Sequence, residues 1–160
     1  MRHLPRRASV KNANDPKRFE DTQWWALFHS DATRTPGTAE YDQWLLRFRV
    51  PIRVFEHFLG RFREEGWAPP EGVVNSFGPP AAPLVLKLMA AFRYLSRGEV
   101  FDTISELTQN TISEPVIRTF IKDTFLPKMF SIKGDYIFYP KTPGELADAE
   151  SLYSRVGLNG

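Results

Sequence analysis

Residues 84–126 read LVLKLMAAFRYLSRGEVFDTISELTQNTISEPVIRTFIKDTFL. Leu84, Leu88, Phe92 and Leu95 recur at helical spacing, and Val85 and Met89 widen the stripe. A helix apolar over so much of its circumference belongs near the centre of a bundle. Gly98 stops it. A short helix is predicted from Val100 to about Thr108, with Phe101, Ile104 and Leu107 on one side. QNT then forms the turn, and Asn110 stands where a glycine is more usual, because Asn tolerates the left-handed backbone. The next helix is predicted from near Ser113 to about Leu126, ended by Pro127. Its inward residues are Val116, Ile117, Phe120, Ile121 and Phe125. The order over about 99–126 is the layout of a helix-turn-helix DNA reader. It is equally the layout of helical bundles that never touch DNA.

Upstream, Trp24, Trp25, Leu27 and Phe28 mark a short aromatic segment, followed by a Pro-Gly loop at 30–38. Tyr41, Trp44, Leu45 and Phe48 form one helix face, with Thr38 as its N-cap. Pro51 opens a helix whose apolar face is Ile52, Phe55, Phe58, Leu59 and Phe62, and Gly66 closes it. Residues 67–83 carry five prolines and form a linker that cannot be regular helix. Downstream, Thr142-Pro143 followed by Glu145 is a capping box, starting a helix that reaches about Arg155. Tyr136–Tyr139 reads as an extended aromatic connector. The fold class is therefore all-α, a multi-helix bundle containing a helix-turn-helix.

The 160 residues suit one domain with a loose arm. The absence of Cys excludes a disulfide framework, a Cys-containing zinc site and a thiol nucleophile. No apolar run approaches the ~18 residues that a membrane span requires. The formal charge of +2 hides an asymmetry. Residues 1–18 hold six of the 21 basic residues and one of the 19 acids, leaving 15 basic and 18 acidic residues in the body. The basic arm, residues 1–20, is either a solvated disordered terminus or a phosphate-contacting and nuclear-addressing segment. Arg2, Arg6 and Arg7 are its candidates for phosphate or minor-groove contact.

No catalytic constellation is legible. His3, His29 and His57 lack a second ligand at metal spacing, and there is no phosphate-binding loop or nucleophile elbow. His57 is expected at a helix surface. The chain reads as no enzyme, with no cofactor and no small-molecule substrate. Opposite the buried face of the 113–126 helix stand Glu114, Arg118, Thr119, Lys122 and Asp123. Arg118 and Lys122 are one turn apart and can reach the same groove. In a helix-turn-helix the start of the second helix meets base edges. Arg118 and Thr119 are thus candidates for base contact, Lys122 for a phosphate, and Ser113 for a phosphate at the helix start. Glu114 and Asp123 oppose them by repelling phosphate.

Three blocks in order resemble Harbinger-type transposases and the related plant transposon proteins. WLLRFRVPIRVFEHFL resembles the family's aromatic, Phe-Arg-x-Pro and Phe pattern at Trp44, Phe48, Arg49, Pro51 and Phe55. KLMAAFRYLSRGEVFDTISEL is similar to the following block at Arg93, Tyr94, Leu95 and Gly98, and YPKTPGELADAESLYSRVGLNG to the approach to the catalytic domain. The resemblance covers about residues 40–160. It implies a nuclear helical region, 21–160, that binds double-stranded transposon-end DNA ahead of an RNase H-like nuclease. That nuclease holds two divalent metals with an Asp-Asp-Glu triad. No position in 1–160 matches a triad residue, so the metal is expected only for a nuclease domain outside this sequence. The resemblance also implies a Myb-like protein partner. The alternatives are a helical interaction module built from Trp24, Trp25, Phe28 and the 136–139 connector, and an inactive transposon relic.

Overall fold

The computed structural model describes residues 18–68, 81–136 and 140–155. Among them every regular element is helical, as the apolar periodicities require. The chain divides into two compact units, one ending at Phe125 and the other beginning at Leu126. The division falls just before Pro127.

The described part of the first unit begins with a 3-10 turn, Phe19–Asp21, and helix α1, Gln23–His29. Thr22 joins them: its hydroxyl donates to Phe19 O at 2.7 Å and accepts from Trp25 N at 3.2 Å. A second 3-10 turn, Asp31–Arg34, leads to α2, Ala39–Phe48, capped by Thr38 as its sequence implies. Helix α3, Ile52–Glu64, follows at once. Helix α4, Leu84–Arg97, packs against α1, α2 and α3, and also against α5, Phe101–Leu107, and α6, Glu114–Thr119. It is the central helix that its apolar stripe predicts.

Aromatic rings run through this core in an unbroken chain. Trp24 meets Phe48 edge-on at 5.2 Å, Phe48 meets Trp44 at 4.6 Å, and Trp44 meets Phe55 at 5.1 Å. Phe55 then reaches Phe92, Phe92 reaches Phe125, and Phe125 stacks on Phe62. Such pairs each contribute about 0.5–1.5 kcal/mol beyond the area they bury. The rings come from α1, α2, α3, α4 and the segment after α6, so the chain of contacts fixes how the helices meet.

Two expectations about the α4–α6 region are corrected. Leu95 and Val116 are exposed, at 52% and 42%. Leu95 falls between Tyr94, which stacks on Phe101, and Ser96, which turns to α2, so no element covers it. Val116 lies beside Ile117, which takes the only covered side of the short α6. The third correction concerns helix type. Residues 120–125 form a π-helical turn instead of continuing α6 as α-helix. Its i→i+5 bonding brings Phe120 and Phe125 inward together, and both are buried. Pro127 does not end helical structure. It is the second residue of α7, Leu126–Ser131, which follows the π turn with no non-helical residue between them.

The helix ends show why the turns hold. Gly66 closes α3 with φ +62°, and Trp67 N donates back to Phe62 O at 3.0 Å while the two rings meet at 5.1 Å. This is a Schellman closure with its apolar contact. Helix α5 ends the same way, with Asn110 N donating to Ser105 O at 2.9 Å and Gln109 N to Glu106 O at 2.8 Å. The left-handed place is taken by Gln109, φ +57°, as well as by the expected Asn110, φ +58°. Gln pays a steric cost there that Gly does not. Gln109→Gly is therefore expected to stabilise the first unit by about 1 kcal/mol, read as a rise in denaturant midpoint at unchanged slope. A lower midpoint would show that the Gln109 side chain contributes more than its backbone strain removes.

In the second unit α7 is followed by α8, Lys133–Tyr136, and α9, Pro143–Arg155. The capping box of α9 forms as read: Glu145 Oε2 accepts from Lys141 N at 2.8 Å and Thr142 N at 3.1 Å, while Thr142 Oγ1 accepts from Glu145 N at 3.3 Å. The backbone hydrogen bonds from Lys141 and then Thr142 hold the Glu145 carboxyl below its ordinary pKa. That contribution is present above the ordinary carboxylate range and is lost as pH falls through the lowered value.

Candidate nucleic-acid interface

The outward side of α5 and α6 is built around one half-buried ring, Phe101. It stacks on Tyr94 of α4 at 5.0 Å, with ring planes 17° apart. The Arg118 guanidinium carbon lies 5.7 Å from the Phe101 centroid, and the Lys122 ammonium lies 5.9 Å from it. The i, i+4 spacing of the two cations is what brings both to the same ring. Thr119 is exposed between them along the chain, and Ser113 is exposed at the start of α6. Ser113 makes no side-chain cap hydrogen bond.

Arg118 is not an unpaired groove reader. It forms an ion pair with Glu114, one turn earlier. The carboxylate anticipated as an obstacle to phosphate is thus bonded to the leading base-contact candidate. With about half of Arg118 exposed, the pair is weak and solvent-screened, and a phosphate can compete with it. Lys122 has no carboxylate partner among the described residues. The short α5–α6 connection holds this side rigid. Ser105, buried, donates its hydroxyl to Ile112 O at 2.8 Å, and Thr108 donates to Ser105 O at 2.8 Å. Sequence reading put Arg118 and Lys122 on one outward face but did not place Phe101 beneath them, because its helical spacing marks it equally as core.

Arg2, Arg6 and Arg7 lie outside the described residues, as does most of the 136–139 connector. Trp24 and Phe28, proposed as docking aromatics, are buried at 1% and 8% exposure. They pack on Phe48, Trp44 and Phe55. Of that cluster only Trp25 is partly accessible, with its ring 4.4 Å from that of His29. His57 is exposed. Among the described residues no group of three or more His, Asp or Glu is arranged to hold a metal, and no helix is long and apolar enough to cross a membrane.

The first two of the blocks that carry the transposon-protein resemblance meet in space. Phe48 and Trp44 of the first are buried, and Trp44 Nε1 donates to Val50 O at 2.8 Å. Arg93 of the second donates to Arg47 O at 2.8 Å and clasps Glu99 with two further bonds. The residues of the two blocks therefore act chiefly as architecture that joins α2, α3 and α4. Comparison with protein families, with curated proteins and with solved structures yields no match for this chain.

Proposed function

We propose that the first unit is a DNA-binding helical module of the Harbinger-transposase type, working in the nucleus on double-stranded transposon-end DNA. In this reading α5 and α6 act as a helix-turn-helix. Arg118 and Thr119 meet base edges, Lys122 and Ser113 meet phosphates, and the basic arm adds further contacts. The observation that carries it is the convergence of Arg118 and Lys122 on the exposed side of Phe101. Two cations held near one ring form a pre-set anion site, with little side-chain freedom left to lose on binding. The order of the three resembling blocks supports the same reading. Strand cleavage, with its divalent metals, belongs to a nuclease domain, and a Myb-like protein is the expected partner.

Titration of a labelled duplex at several salt concentrations tests this. Arg118→Ala combined with Lys122→Ala is expected to weaken binding, to relax base preference through loss of Arg118, and to make the plot of log affinity against log salt shallower by about 0.9 through loss of the Lys122 phosphate contact. Absence of duplex binding at low salt, or a double variant that binds like the parent, refutes the reading.

A further inference from the structure

The corner between α2 and α3 carries a second group of cations. Arg47 and Arg49 come from the end of α2, Arg53 from the first turn of α3 and Arg97 from the last turn of α4. Arg97 Nη2 donates to Leu46 O at 2.6 Å, which places its guanidinium at the C-terminus of α2. Arg93 reaches the neighbouring Arg47 O but is neutralised by Glu99. None of Arg47, Arg49, Arg53 and Arg97 is bonded to a carboxylate among the described residues. Burial first, and then the charge of Arg93, lower the pKa of Arg47. The first turn of α3 contains no acid to offset Arg53.

Arg49 is the unusual member. Its backbone is left-handed, φ +53°, and its N–H closes α2 by donating to Leu45 O at 2.9 Å. Glycine occupies that conformation without steric cost. The Arg49 side chain is exposed and makes no hydrogen bond, ion pair or ring contact within the described residues. Among the described residues none of its side-chain donors is engaged, and a planar guanidinium suits a phosphate better than a point charge does.

We infer that this corner, with Arg49 at its apex, is a second contact for the nucleic-acid phosphate backbone, separate from Arg118 and Lys122. The inference rests on the DNA-binding reading above and extends it. Both cation groups border the last turn of α4. Arg97 binds the end of α2 there, and Tyr94 stacks on the ring over which Arg118 and Lys122 lie. A polyanion crossing that end of α4 meets both.

Arg49→Gly in the full chain separates ligand contact from helix closure, because the two roles predict different signs. Relief of the left-handed backbone raises the melting temperature. Loss of the guanidinium weakens duplex binding by roughly fivefold at low salt and makes the salt plot shallower by ~0.9. Arg49→Lys keeps both the strain and a charge, and is expected to bind within about twofold of the parent while melting like it. A parent chain that binds duplex and an Arg49→Gly variant that binds equally well overturn this inference alone. A parent chain that fails to bind duplex at low salt overturns the DNA-binding reading and this extension together.

Discussion

Trp44→Ala is expected to lower the stability of the first unit by about 4–5 kcal/mol. Trp44 is fully buried and touches rings from three helices: Phe28 of α1, Phe48 of α2 and Phe55 of α3. Removing the indole opens a cavity at the point where those helices meet, and rigid neighbouring rings leave it little chance to collapse. It also strips the donor from Val50 O, the carbonyl just before the Pro51 turn, at a cost of about 1 kcal/mol within that total. Small domains are stable by only about 5–15 kcal/mol, so the variant should melt roughly 20 °C lower or fail to accumulate. Trp44→Phe keeps most of the ring and isolates the hydrogen bond, and a loss of about 2 kcal/mol is expected for it. Denaturant unfolding followed by fluorescence reports this unit specifically, since all four tryptophans precede residue 126. A Trp44→Ala loss below about 2 kcal/mol would show that the aromatic chain does not organise the core.

Arg93→Ala is the second large effect, expected to cost about 3 kcal/mol. The Arg93 side chain is 14% exposed and that of Glu99 is 23% exposed, so the ion pair is substantially desolvated. Arg93 also supplies one N–H to the free carbonyl of Arg47 at the end of α2. Its truncation leaves a poorly solvated carboxylate without a partner and the Arg47 carbonyl with only the long 3.5 Å bond from Ser96 Oγ. Arg93→Lys offers one ammonium where a planar fork makes three bonds, so it should recover less than half of the loss. Glu99→Gln, which keeps the shape and removes the charge, should be milder than Arg93→Ala. If Arg93→Ala and Glu99→Gln cost the same small amount, below about 1 kcal/mol, the pair is a solvated surface bridge. Because Arg93 belongs to the RYLSRG stretch, a large cost would assign Arg93 to joining α4 to α2.

The helices themselves were legible in the sequence. Apolar residues at i, i+3, i+4 spacing placed α2, α3 and α4, Thr38 and Thr142 marked starts, and Gly66 and Gly98 marked ends. These are local signals, settled within one or two turns of chain. The surface chemistry was legible in part: Arg118 and Lys122 could be assigned to one outward face from their spacing alone.

Several features depended on segments far apart in the chain. Leu95 and Val116 carry the right residue type for burial, yet no distant element arrives to cover them. The π turn at 120–125 arises where two phenylalanines four intervening residues apart both enter the core, and a strict α-helical period does not predict it. Arg118 reads as a free cation until Glu114 and Phe101 are seen against it. The arginines at the α2–α3 corner are separated by up to 50 positions and become neighbours only when α4 docks on α2. Helix existence was determined by the sequence itself, because backbone hydrogen bonding and amphipathic period are local. Which side chains are covered, which charges are paired and which cations share a surface were decided only by tertiary packing, because burial and Coulomb energy depend on distance in space.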